Sequence, residues 1–381
     1  MEEVGFGFHS IDGIYWDERA CYRLTAGEVD MLEAVTNELH EMCIKATQHV
    51  IDHNMFDQFA IPPAFVPLVV DSWNNDESSL FGRFDLSWDG RSPPKMLEYN
   101  ADTPTSLIEA SVAQWYWMKE VKPDADQFNS IHERLIERWR EISTEMGVKT
   151  IHLACDGTSE EDVGNLDYMC DVATQAGLAP HFIDVTHIGW DAIGKRFVDE
   201  QNGAIDALFK LYPWEWMVRE AFGANVLTAN TRFIEPPWKM LLSNKAILPV
   251  LWELYPDHPN LLAAYFTPQK FATDFVKKPL LSREGANINI KAASGEVVTD
   301  GEYGEEGFVY QAYHPLPNFS ANDEANYMVV GSWIIGDEAA GIGIREDESP
   351  ITKNTVVFCR ITLFERGCHG ALSIDGIVCR V

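Results

Sequence analysis

No run of apolar residues in this 381-residue chain approaches the ~18 that a membrane helix needs. The N-terminus, Met1-Glu2-Glu3-Val4, has neither the basic stretch nor the apolar core of a secretory signal. Both absences set the expectation of a soluble, cytoplasmic protein with no membrane partner. Basic residues are scarce: 29 Lys and Arg stand against 59 Asp and Glu, a formal net charge of −30. A chain this acidic repels nucleic acid, so none is expected as a partner. A cationic small molecule such as a polyamine would be attracted, although acidity also serves solubility alone. The seven cysteines are odd in number and include no CxxC pair, which argues against a disulfide framework or a zinc site. There is no internal repeat, no Walker A sequence and no GxGxxG.

What is present is ample core material, 46% hydrophobic and 12% aromatic residues, enough for two or three domains or one composite fold. Leu32, Val35, Leu39, Met42, Ala46 and Val50 recur at helical spacing and predict a helix over 28–50. Phe84, Leu86 and Trp88 alternate with Asp85, Ser87 and Asp89, and a turn-rich 90–94 leads into a second strand over 95–100. Ser106 with Glu109, and Ser130 with Glu133, have capping-box spacing, and Gly147 ends the second helix. Strand 151–155, a helix after Thr158 ending at Gly177, and strand 181–185 form a β-α-β pattern. Residues 239–255 read as helix, and from about 274 short strands follow at 275–280, 287–292, 307–312, 326–335 and 339–345. The fold class is α+β.

Four constellations could carry chemistry. On paired strands, Arg83 and Asp85 would share one face with Glu98 and Asn100. Two carboxylates and an amide oxygen suit Mg²⁺, and Arg83 suits a phosphate or developing oxyanion. The same residues also read as a solvated hairpin face with an ion pair. Second, residues 100–106 lead from a strand into a helix start, where the hydroxyls of Thr103, Thr105 and Ser106 could hold an anion, or Ser106 could simply cap. Third, Lys278, Ser282, Arg283 and Gly285 lie in a loop between strands, suited to phosphates or to an ordinary surface hairpin. Fourth, Arg345 stands at a charged strand end, and Lys245 in a helix-like run is an isolated candidate otherwise read as a solvated lysine.

Taken together, the runs 96–106, 210–217, 235–254, 276–286, 309–317 and 331–352 resemble, in one order, the synthetase domain of glutathionylspermidine synthase. They are closer still to stand-alone homologues without the amidase domain. The resemblance implies an ATP-grasp fold with an associated β-α-β, Rossmann-like portion, and an ATP-dependent ligase that forms a carbon–nitrogen bond. It implies ATP and Mg²⁺, a peptide carboxylate such as that of glutathione, and a polyamine such as spermidine. By the same resemblance Asp85, Glu98 and Asn100 are magnesium ligands and Arg83 stabilises the transferring phosphoryl group. Lys245 and Lys278 meet the ATP phosphates, Gln311 lies on the strand that contacts adenine, and Arg345 is a second phosphate-side arginine. Thr103, Thr105 and Ser106 stand where the bifunctional members place Ser and Cys, and Glu160 and Glu161 align with the amine-binding acids. The synthetase domain is expected over 1–354. The 355–381 tail, with three cysteines, departs from the family as a divergent strand or a reading-frame change. The other function class open to these residues is a nucleotide-binding protein without ligase turnover.

Overall fold

The computed structural model describes residues 15–319, 325–353 and 357–364. Its helix and sheet are mixed in the α+β manner expected, with three principal sheets. The central one has six strands in the spatial order Trp16–Thr25, Val357–Phe364, Glu338–Asp347, Tyr327–Ile335, Phe81–Ser87, Lys95–Asn100. All its neighbours are antiparallel except Trp16–Thr25, which runs parallel to Val357–Phe364. A second, five-stranded antiparallel sheet contains Phe275–Pro279, Asn289–Ala292 and Phe308–Ala312. The third is fully parallel, with Thr150–Cys155 between Ala179–Asp184 and Ala207–Leu211, and helix Glu160–Gln175 makes the predicted β-α-β crossover. Among the described residues no helix is long and apolar enough to cross a membrane.

The predicted first helix forms as Ala26–Asp52. Thr25 accepts from the amide of Glu28 while the Glu28 carboxylate accepts from the amide of Thr25, so two otherwise unpaired donors are satisfied at its start. Its stripe of Leu32, Leu39, Cys43, Ala46 and Val50 is fully buried in the main core. Truncating one such leucine to alanine costs on the order of 2–5 kcal/mol.

Other helix starts differ from expectation because their side chains have better partners elsewhere. Ser130 does not cap: its hydroxyl donates to the Ala340 carbonyl at 2.9 Å and accepts from Arg134. Ser106 sits at φ +70°, outside the extended conformation a capping residue needs, and the Glu109 carboxylate accepts from Tyr15 instead. The helix after Thr158 is capped one residue later, by Ser159, whose hydroxyl accepts from the Asp162 amide. The expected helix over 239–255 is two short ones, Lys239–Leu242 and Ile247–Leu254. Asn244 holds the break: its side-chain oxygen accepts from the Ala246 amide and its side-chain nitrogen donates to the Phe59 carbonyl at 2.7 Å. The predicted Gly147 and Gly177 terminators both adopt positive φ.

Candidate active site

The strand Phe81–Ser87 is anchored at its start by a buried carboxylate. Glu235 accepts from the amides of Leu80 and Phe81, each at 3.0 Å, and pairs with Lys239, which donates to the Phe81 carbonyl. From there the register against Lys95–Asn100 sets Arg83 opposite Asn100 and Asp85 opposite Glu98. Opposed residues of an antiparallel pair point to the same side, so the four polar groups share a face.

Arg83 holds Asp85 with two nitrogens, Nε at 2.8 Å from Oδ1 and Nη2 at 3.3 Å from Oδ2, and donates its third to the Thr105 carbonyl at 2.6 Å. Arg345 reaches the same Asp85 Oδ2 at 2.6 Å from two strands away. The approach requires Gly331 between them: a Cβ there would lie 2.9 Å from Arg83 Cδ. Both arginines and Asp85 are buried or nearly so. Burial, then the neighbouring Arg345, lowers the Arg83 pKa, while for Arg345 the Asp85 carboxylate outweighs the cost of burial.

Lys245, delivered by the helix break at Asn244, is buried rather than solvated. Its ammonium lies 3.1 Å from Glu98 and donates to the Ser282 carbonyl at 2.6 Å. Lys278 donates to the Leu97 carbonyl at 2.9 Å and to Gln311 Oε1 at 2.8 Å, and Gln311 in turn donates to the Met96 carbonyl. Burial opposes the charge on both sides of this cluster. It carries the Lys278 pKa down to about 8, whereas at Glu98 the two lysines outweigh it and hold the carboxyl well below the usual range. Asp85, Glu98, Lys245 and Lys278 line a cleft together with the apolar side chains of Val276, Ile288, Ile290 and Ile351. Ammonium groups and a cluster of apolar side chains lining one cleft suit the phosphates and base of a nucleotide.

Asn100 completes the acidic corner, its side-chain nitrogen donating to Asp85 and to Glu98 at 3.3 Å each. Among the described residues no group of three His, Cys, Asp or Glu side chains could hold a metal ion. The two carboxylates suit a magnesium ion that fills its other positions with water and phosphate, and the Asn100 oxygen would join them on rotation of its side chain.

The 281–287 loop closes one side of the cleft. Gly285 has φ +67° and a Cβ there would lie 2.7 Å from the Thr352 carbonyl, so only glycine seats the loop against that segment. Arg283 spans outward from the loop, with Nε 2.8 Å from Glu215 and Nη1 2.7 Å from the Thr103 hydroxyl. The Ser282 hydroxyl is buried and without a hydrogen-bond partner. Sequence reasoning did not find this bridge, nor the fully buried pair of Lys210 and Asp102 at 2.6 Å that lies beneath it. A lysine inside the apolar run Ala207–Leu211 was the available signal for the latter.

The carboxylates Glu160 and Glu161 part company. Glu160 is exposed, while Glu161 turns inward, hydrogen-bonded by Thr105. Burial, then the nearby charges of Glu109, Asp162 and Glu284, push Glu161 up to about 7. Asp162 is raised to about 6, by burial first and then by Asp156 and Glu284. Thr103 and Ser106 are buried; the Thr103 hydroxyl accepts from Arg283, and the Thr105 carbonyl accepts from Arg83.

The model of the family described as glutathionylspermidine synthase preATP-grasp matches residues 1–363. A protein of Haemophilus influenzae named "Putative acid--amine ligase" is 44% identical over 368 residues, covering 92% of each chain. The trypanothione synthetase of Crithidia fasciculata and the bifunctional glutathionylspermidine synthetase/amidase of Escherichia coli are each 28% identical, over 84% and 87% of this chain. The chain spans little more than half of those two longer proteins, 53% and 57%. In fold it is similar to a glutathione synthetase-like effector of Globodera pallida, with a TM-score of 0.58 over 93% of this chain and 92% of the other, at 9% identity.

Proposed function

The chain belongs to the glutathionylspermidine synthase preATP-grasp family, an ATP-dependent carbon–nitrogen ligase by its kin, and from that premise we propose that it joins a peptide carboxylate such as that of glutathione to a polyamine amine such as that of spermidine. The observation that carries this reading is one bonded cluster of Arg83, Asp85, Glu98, Asn100, Lys245 and Arg345, whose Asp85, Glu98 and Lys245 line a cleft with Lys278, beside an acidic flank.

A carboxylate is a poor electrophile, so it must first be activated. In our reading Lys245 and Lys278 exchange their protein oxygens for the phosphates of ATP. Asp85, Glu98 and Asn100 would hold the magnesium ion, which when bound supplies positive charge beside the phosphates. Arg83, fixed by Asp85 and the Thr105 carbonyl, meets the charge that develops as the terminal phosphoryl group passes to the acid. ADP and an acyl phosphate result. The amine nitrogen then attacks the carbonyl carbon, the C–N bond forms, and the C–O bond to phosphate breaks. Thr103, Thr105 and Ser106 orient the acid, and Glu161 draws the cationic amine to the adjoining position.

The test is ADP release from purified protein with MgATP across glutathione, other peptides, spermidine and diamines. ADP release that requires both an acid and an amine, matched by amide product, is the expected result. Nucleotide binding with no acid-dependent ADP release across the panel would establish the nucleotide-binding protein without turnover in its place.

A further inference from the structure

The resemblance places Gln311 on the strand that contacts adenine, yet its side chain is turned to another task. Gln311 lies on Phe308–Ala312 opposite Val276, which sets it diagonally across from Lys278 on one face of the five-stranded sheet. It is 2% exposed and stands behind the cleft lining, to which Lys278 belongs. Its Oε1 accepts from Lys278 Nζ at 2.8 Å, and its Nε2 donates to the Met96 carbonyl at 3.1 Å. A primary amide recognises a base edge with that oxygen and that nitrogen. Here both are engaged inside the protein.

Lys278 Nζ also donates to the Leu97 carbonyl at 2.9 Å. Met96 and Leu97 belong to Lys95–Asn100, the outermost strand of the central sheet, which carries Glu98 and Asn100. Glutamine and lysine together therefore join one sheet to the edge of the other. Of the two oxygens on the ammonium, that of Gln311 comes from the sheet that carries Lys278 itself, while that of Leu97 comes from across the gap. We propose that Gln311 is a positioning residue. It keeps hold of the Lys278 ammonium while a phosphate of the bound nucleotide takes the other N–H groups, and it does not select the base. The role rests on the nucleotide reading of the cleft given above. A lysine stem is flexible, and a fixed acceptor removes in advance the freedom that phosphate binding would otherwise have to remove. The ligand class that Gln311 favours is thus any magnesium polyphosphate, whatever its base.

Calorimetric titration of purified wild type and Gln311→Met with ATP, GTP and inorganic tripolyphosphate, each with Mg²⁺, separates positioning from base recognition. Methionine has nearly the length and shape of glutamine without its amide. All three affinities should fall by a common factor of roughly tenfold, the scale of one hydrogen bond to a charged group. Loss of ATP affinity with tripolyphosphate binding unchanged would show that Gln311 reads the base and overturn the proposal. A double-mutant cycle tests for a merely structural role. In a Lys278→Met background, Gln311→Met should change each affinity by less than about twofold, because a residue that acts through Lys278 has nothing left to act on. A full tenfold loss in that background would also overturn the proposal. Gln311→Glu, which keeps an oxygen for Lys278, serves where the methionine variant does not fold: its ratio of ATP to GTP affinity should match wild type, and an altered ratio would speak for base recognition instead. If wild type binds no MgATP, the nucleotide reading itself fails, and the positioning role falls with it.

Discussion

Two groups of charged side chains flank Arg83, and they are built on opposite principles. In the cleft most charges have an opposite partner, Lys245 with Glu98 and Arg83 and Arg345 with Asp85, while Lys278 rests on the Leu97 carbonyl and Gln311. On the other flank Glu109, Glu161 and Asp162 lie near one another, with Glu284 of the cleft wall within electrostatic reach, and burial raises the pKa of all four. Taking paired charges out of water costs less than taking out single ones, so the cleft is stable as it stands. A magnesium-bound nucleotide would enter it by exchange, its phosphates replacing carboxylates on the lysines while the ion takes the carboxylates. The acidic flank has nothing to exchange. Its carboxylates show no close ion pair among the described residues, with Arg83, Arg345 and Arg283 acting only at longer range, and a cationic amine would add positive charge there.

The sharpest way to break this contrast is to remove one charge from the paired side. Glu98→Gln keeps the shape and the contact with Asn100 but loses the attraction for Lys245 and for a metal ion. ATP turnover should fall by at least about 100-fold, the scale of losing one preorganised electrostatic contact in an active site, and the melting temperature should drop as well, because Lys245 is left buried without its partner. Steady-state kinetics against Mg²⁺ concentration check it: an unchanged Mg²⁺ dependence would remove Glu98 from the metal site.

The unpaired side should respond to salt. If its field helps to bring in a polyamine, kcat/KM for spermidine should drop severalfold, up to roughly tenfold, as ionic strength rises, because the Debye length shrinks from about 10 Å at 0.1 M to about 3 Å at 1 M. Glu160→Gln/Glu161→Gln should flatten that dependence. A flat profile in wild type would exclude a cationic co-substrate and leave the ligase standing. A smaller effect concerns the loop that joins the two flanks. Glu215→Gln weakens the grip on Arg283, and tryptic cleavage at Arg283 should quicken about threefold without nucleotide, in keeping with the modest worth of one charge-assisted hydrogen bond. MgATP should restore protection, as expected of a lid over phosphates. Equal cleavage rates with and without MgATP would show that the loop does not gate the cleft.

Which parts of this were legible in the sequence follows from the range of the interactions. The hairpin that carries Arg83, Asp85, Glu98 and Asn100 could be read from alternation and a turn, because strand periodicity fixes facing once register is fixed. The long first helix and its capping box were legible for the same local reason. The failed caps at Ser106 and Ser130 were not, since each position is decided by groups far along the chain: Ser130 by Ala340, and the Glu109 carboxylate by Tyr15. Lys245 read as a solvated lysine because the break that turns it inward depends on Asn244 reaching Phe59. Both lysines stood out in the sequence, Lys278 as suited to phosphates and Lys245 as an isolated candidate, and the resemblance added the role of meeting the ATP phosphates. Neither route pointed to Arg283 with Glu215, or to the hold of Gln311 on Lys278, which are contacts between segments tens of residues apart.

The smallest effect tests the electrostatic account of the acidic flank without any substrate. Glu161 has its folded pKa raised from the usual 4.5 to about 7, chiefly by burial and then by Glu109, Asp162 and Glu284. Between these two values the folded state holds more protons than the unfolded one, so stability falls as pH rises through that window and is level above it. Below the unfolded pKa the group is protonated in both states and contributes nothing to the slope. Glu161→Gln removes the titration and keeps a hydrogen-bond partner for Thr105. Its melting temperature relative to wild type should therefore rise from pH 4.5 to pH 7 and stay constant beyond. Glu161 is partly exposed, and solvent screening reduces the gain. A shift of about 1–2 °C at pH 8 is expected for a chain of this size. Thermal denaturation at half-unit pH steps measures it. A difference that does not vary with pH would mean that Glu161 is solvated or countered by a cation, and that the acidic flank is not the unpaired surface contrasted with the cleft.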